Sequence, residues 1–153
     1  MNEALLLLGG AFLAIVGGAV GNEIEAMRER GRERKSIKIC LADELRAIET
    51  TLGLMHGTWT TAQMLHPSYV SDLLANTASY DALRIRLFLI NKTQLRKDIG
   101  DFYKKLRETA RKTKGKIGTL AQTPEAIGEQ RGFDGEFQAL ATEARGIRER
   151  LEK

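Results

Sequence analysis

From position 4 to position 21 the chain reads ALLLLGGAFLAIVGGAVG, eighteen residues without a charge between Glu3 and Glu23. A run of this kind permits few structures. As a helix rising 1.5 Å per residue it is about 27 Å long, close to the thickness of the hydrocarbon core of a bilayer. A buried helix in a small domain normally keeps a polar face, because so few residues cannot cover a helix that is apolar all round. The run therefore predicts a transmembrane anchor over residues 1–22. A cleaved secretory signal is the rival reading, since Ala19, Val20 and Gly21 offer small residues to a peptidase. Met1, Asn2 and Glu3, however, lack the positive charge with which such signals open.

The flanks set an orientation. Arg28, Arg30, Arg32, Arg34 and Lys35 follow the run and no Lys or Arg precedes it, so the positive-inside rule predicts an N-terminus outside and the remaining chain in the cytoplasm. The expected location is the inner (plasma) membrane, crossed once. Within the run, Gly17 and Gly21 form a Gly-x-x-x-Gly step, and Gly10, Ala14 and Gly18 form a second row of small residues. Such rows let helix backbones approach closely in lipid. They imply a homo-oligomer or a membrane-protein partner.

After the run, residues 23–36 are dominated by charge, with Glu25 three residues before Arg28 and Glu29 three before Arg32, spacings that support a solvated juxtamembrane helix. Residues 37–153 are enough for one domain. Its apolar residues recur at helical spacing. Leu41, Leu45, Ile48, Leu52 and Met55 form one seam, with a helical stop expected around residues 53–57 and a loop or short irregular helix over residues 56–67. Tyr69, Val70, Leu73 and Leu74 suggest a short amphipathic helix, and residues 76–79 hold several candidate N-caps. Tyr80, Leu83, Leu87 and Ile90 begin another helix. The register slips before Leu95, Ile99, Phe102 and Leu106, so a break falls near residue 91, where Asn91 and Thr93 offer turn and cap chemistry. Residues 112–124 carry two glycines and Pro124, which predicts a connection. The longest seam is the last: Phe133, Phe137, Leu140, Ala144, Ile147 and Leu151.

No stretch alternates apolar and polar residues between turn signals, so no strand is expected. The fold class is all-α, a single N-terminal transmembrane helix followed by a small helical hairpin or bundle. The last seam pairs most economically with the first in antiparallel sense, although a coiled coil between protomers would bury the same residues.

Catalytic and metal-binding patterns are missing from the sequence. His56 and His66 have no ligand partner at helical spacing, Cys40 is the only cysteine, and no Gly-x-Ser-x-Gly or phosphate-binding glycine loop is present. Trp59 reads as a packing or interfacial residue. No enzyme activity and no cofactor is expected. Charge concentrates in Lys104, Lys105, Arg107, Arg111, Lys112, Lys114 and Lys116, against Glu108 alone. These cations could meet phosphates of anionic lipid or of nucleic acid, lipid being favoured because the anchor holds the chain near it. They could equally form a solvated helix end whose charges suit the C-terminal dipole.

The run Ser79-Tyr80-Asp81-x-Leu83, followed by Ile99-x-x-Phe102-Tyr103-x-x-Leu106, resembles a pattern in small bacterial and phage-associated helical proteins, often membrane-anchored and without an assigned activity. It covers about a quarter of the chain, and Asn91-Lys92-Thr93 stands where that pattern often has a proline. The resemblance implies a helical hairpin in which Tyr80, Phe102 and Tyr103 pack. It supplies no catalytic residue. Together these readings predict a non-enzymatic scaffold or accessory subunit that works through helix–helix contact, or else a membrane-tethered binder of anionic lipid or nucleic acid.

Overall fold

Apolar residues spaced 3 and 4 apart place a stripe along one face of a helix, and three such stripes can close over one another. The computed structural model describes residues 2–62, 64–114, 116 and 123–153, with side chains described from residue 23 onward. The described residues form helices α1 (Asn2–Ala62), α2 (Pro67–Ala75), α3 (Ala78–Leu83), α4 (Thr93–Thr113) and α5 (Pro124–Leu151). A 3₁₀ helix, Arg84–Leu89, lies between α3 and α4. The fold is all-α.

The chain divides into two units, Met1–Ser36 and Ile37–Lys153. The first is the opening part of α1. The expected transmembrane run, with Gly10, Ala14, Gly17, Gly18 and Gly21, lies outside the residues whose side chains are described. Among the described residues no helix is long and apolar enough to cross a membrane.

In the second unit the three stripes meet. Ile37, Leu41, Leu45, Ile48, Leu52, Met55 and Trp59 are buried along α1. Leu95, Ile99, Phe102, Leu106 and Ala110 are buried along α4, and Phe137, Leu140, Ala144, Ile147 and Leu151 along α5. The seams that could have served a coiled coil between protomers are consumed within one chain. Polar pairs at their margins fix the directions. Arg46 and Arg148 of α1 and α5 reach Glu152 and Glu49, respectively, while His56 meets Asp134, so α1 and α5 run antiparallel. Asp98 meets Arg150 and Lys105 meets Glu143, so α4 and α5 are antiparallel as well. Helices α1 and α4 therefore run the same way. The end at which the chain enters the bundle, at Ile37, also holds the start of α4 and the end of α5.

The helical stop expected at residues 53–57 does not occur. Helix α1 continues to Ala62, because the seam does not end at Met55: Trp59, one turn further, is buried too. Glycines in a helix interior each cost about 1 kcal/mol relative to alanine, a deficit that burial of an aromatic side chain exceeds. Thr58, Thr60 and Thr61 turn their hydroxyls back onto the carbonyls of the preceding turn, so their polar atoms are satisfied without leaving the helix.

The caps of α3 and α4 differ from expectation, and that of α2 is supplied by a residue the sequence did not single out as a cap. His66 caps α2, its Nδ1 accepting the N–H of Ser68 at 3.3 Å. Thr77 precedes α3 without a side-chain cap, and Lys92, not Asn91 or Thr93, stands at the cap of α4. The break near residue 91 is present, but the segment after Tyr80 tightens into a 3₁₀ helix from Arg84 rather than remaining α-helical. Helix α5 opens as its sequence predicts for a helix start: the Thr123 hydroxyl accepts the N–H of Ala126 at 3.2 Å, and Pro124 follows at the first helical position. Most of the connection expected at residues 112–124 lies outside the described residues.

Candidate functional site

The basic stretch at residues 104–116 sits on the outer face of α4 and just beyond its end. In sequence only Glu108 opposes it, but the fold brings three further carboxylates to it. Lys105 Nζ lies 3.0 Å from Glu143, Arg107 2.6 Å from Asp81 and Lys116 2.7 Å from Glu129. Lys104, Arg111, Lys112 and Lys114 remain exposed without a carboxylate partner among the described residues. The expected seven-cation surface is thus reduced to four unpaired cations. The sequence could not show this, because Glu129 and Glu143 belong to the helix on the far side of the connection.

Arg107 leads inward to a polar cluster. The Glu44 carboxylate, only 7% exposed, accepts the backbone N–H of Ser79 at 2.7 Å and that of Tyr80 at 3.2 Å. It fills the place that the Thr77 side chain leaves empty, supplying an acceptor to the unpaired N–H groups at the start of α3. The rings of Tyr80 and Tyr103 stack with centroids 4.0 Å apart, and Arg107 lies over Tyr80 at 5.6 Å. Burial first, and the Glu44 carboxylate second, push the Tyr103 phenol far up from its ordinary range. Its buried hydroxyl makes no aligned hydrogen bond. Arg107 is close to Asp81 yet misaligned for a hydrogen bond, so charge attraction and the ring beneath hold it. Tyr80, Phe102 and Tyr103 are all buried.

Glu44 was legible in principle. It lies three residues after Leu41 and four before Ile48, so it shares the apolar face, and a carboxylate there requires a donor. Asp134, 8% exposed, follows the same logic, three residues before Phe137. Its carboxylate meets His56 Nδ1 at 3.0 Å across α1 and α5. That arrangement orients an imidazole and joins two helices. Cys40 is exposed beside a cleft of about 270 Å³ lined also by Asp43, Glu44 and Ser79. Among the described residues no group of three or more His, Cys, Asp and Glu side chains could hold a metal ion.

In the first unit Arg28, Arg30, Arg32 and Lys35 are exposed on α1, and Arg34 is half-buried. Ile24 and Met27 are exposed beside them. This is the charged helix expected after the apolar run. No protein-family model, curated protein or solved structure matches the chain.

Proposed function

We propose that this chain is a single-pass membrane protein without enzymatic activity, whose helical domain acts as a scaffold or accessory subunit in a membrane complex. The observation that carries this reading is the uncharged run at residues 4–21, which opens the same helix, α1, that later supplies the first core stripe of the bundle. Burying that run in a bilayer accounts for eighteen consecutive residues without a charge, which a small domain cannot cover on all sides. The arginines that follow it support a cytoplasmic domain under the positive-inside rule. The small-residue rows of the run then offer a contact for a second copy or a membrane partner.

The test is alkaline carbonate extraction of membranes containing the full chain tagged at its C-terminus, followed by protease treatment of sealed vesicles. Retention in the membrane, intact mass including Met1, and a tag protected in right-side-out vesicles support the reading. A chain released by carbonate, or lacking its first 21 residues, overturns it.

A second reading is favoured by the four unpaired cations on and just beyond α4: a tethered binder of anionic lipid or nucleic acid. Neutralising four phosphates of duplex DNA predicts a log–log salt slope of roughly −3.6. A flat salt response excludes it.

A further inference from the structure

The two large apolar side chains most out of place in the bundle are Ile85 and Phe88, 82% and 65% exposed. Both lie in the 3₁₀ helix Arg84–Leu89. With three residues per turn, positions three apart eclipse one another, so Ile85 and Phe88 stand on the same edge while Leu87, on another row, is buried.

The local sequence carries one sign of charge. From residue 82 to residue 97 the sequence contains Arg84, Arg86, Lys92, Arg96 and Lys97 and no Asp or Glu. Arg96 anchors the 3₁₀ helix to the first turn of α4 by donating to the Phe88 carbonyl at 3.0 Å and to the Thr93 hydroxyl at 3.0 Å. The first carboxylate beyond this stretch, Asp98, is engaged by Arg150 and Gln94. Asp81, just before it, is engaged by Arg107.

The start of α4 lies beside the end of α5 and the Arg46 region of α1, which is the end of the bundle where the chain enters at Ile37. The basic stretch at residues 104–116 runs toward the opposite end, beside Glu129. In sequence, residues 22–36 separate the apolar run from Ile37.

We infer that the 3₁₀ helix is a membrane-contact element: Ile85 and Phe88 enter the interfacial layer of an anionic bilayer, and Arg84 and Lys92 meet its phosphate headgroups. Apolar tips rimmed by cations are the chemistry of an interfacial segment. Two side chains are too little area for a stable protein interface, which needs about 800 Å² from each partner. The inference rests on the membrane-anchored reading for the nearness of a bilayer, and it gives the lipid surface a site other than the 104–116 stretch.

The test uses the full chain with Cys40→Ser and Asn91→Cys, carrying an environment-sensitive fluorophore at position 91, reconstituted into vesicles of phosphatidylcholine with or without phosphatidylserine. The expected result is a blue shift and several-fold stronger quenching by doxyl-labelled lipid in the anionic vesicles. Raised salt diminishes it, and Phe88→Ser, which changes an exposed side chain, weakens it about tenfold. The fluorophore on the native Cys40 serves as the control for dye-driven insertion. A label at 91 that stays in water in both vesicles overturns the inference, as does one that becomes dry with protein concentration but is never quenched by lipid, which would indicate a protein contact. Carbonate extraction of the same vesicles separates the two readings. A resistant chain with an unquenched label keeps the anchor and loses the contact element, whereas an extractable chain with a quenched label does the reverse.

Discussion

Glu44 on α1 accepts the backbone N–H of Ser79 at 2.7 Å, so a side chain thirty-five residues earlier in the sequence caps α3. The carboxylate also lies within reach of the Tyr80 N–H. Removing it leaves two buried donors without an acceptor and opens a gap beside Tyr103. Glu44→Ala should lower the unfolding free energy by about 1–3 kcal/mol. Glu44→Gln, which keeps one acceptor oxygen, should cost less. Urea denaturation of the two variants checks the order. Equal losses would mean that packing volume rather than the hydrogen bonds sets the role of this residue.

Leu140 sits fully buried in the middle of the α5 stripe. Leu140→Ala should cost about 2–5 kcal/mol, the range for deleting a large side chain that its surroundings cannot refill. Leu140→Asp should abolish cooperative unfolding, because an unpaired carboxylate would have to enter the core. Circular dichroism during heating distinguishes these outcomes. A sharp transition in the aspartate variant would show that the three stripes are not the bundle's core.

The apolar stripes were the most legible part of the fold, since they depend only on the helical period and on residues that must leave water. Leu41, Ile48, Phe102 and Ile147 took their places for that reason. What escaped the sequence depended on partners distant along the chain. Gly53 and Gly57 suggested a helix end, and only the burial of Trp59 shows why the helix continues. His56 looked solitary until α5 placed Asp134 against it. The charge at residues 104–116 appeared opposed by Glu108 alone because Asp81, Glu129 and Glu143 lie on other helices. The exposed edge of Ile85 and Phe88 was hidden by a register that fits an α-helix, in which Leu83, Leu87 and Ile90 would continue a stripe from Tyr80. Ile85 and Phe88 lie off that stripe and stay exposed in the 3₁₀ helix.

The continuation of α1 past its glycines leads to a stabilising substitution. A Cβ at Gly53 or at Gly57 would meet no atom within 4 Å among the described surroundings, and both residues are helical. Gly53→Ala and Gly57→Ala should each stabilise the protein by about 0.5–1 kcal/mol, through lower freedom of the unfolded chain and better helix propensity. The two positions lie one turn apart on the same exposed face, so the double variant measures whether the two gains add. Loss of stability in either variant would return residues 53–62 to a loop.

Asp98 provides a pH dependence. Its carboxyl is held below the ordinary carboxylate range first by the hydrogen bond from Arg150 and then by that from Gln94. A folded pKa below the unfolded one means that the unfolded chain binds the proton more readily. The contribution of this group is therefore full above about pH 4 and is lost as pH falls through the lowered folded value. Asp98→Asn should reduce the thermal midpoint modestly at neutral pH, with the gap to the parent closing on acidification. A gap that stays constant with pH would exclude the ion pair as its cause.

Within the apolar run the prediction concerns association rather than folding of the bundle. Gly17 and Gly21 make a Gly-x-x-x-Gly step in the sequence, and in lipid the attraction between helices comes from close backbone packing, since apolar side chains gain nothing by leaving a medium as apolar as themselves. A branched side chain at such a step holds the backbones apart. Gly17→Ile should therefore weaken self-association of the full chain in mild detergent, read as loss of energy transfer between differently labelled copies, while the thermal unfolding of the bundle stays unchanged. Undiminished transfer would remove the small-residue face as the contact and leave α1 to associate elsewhere.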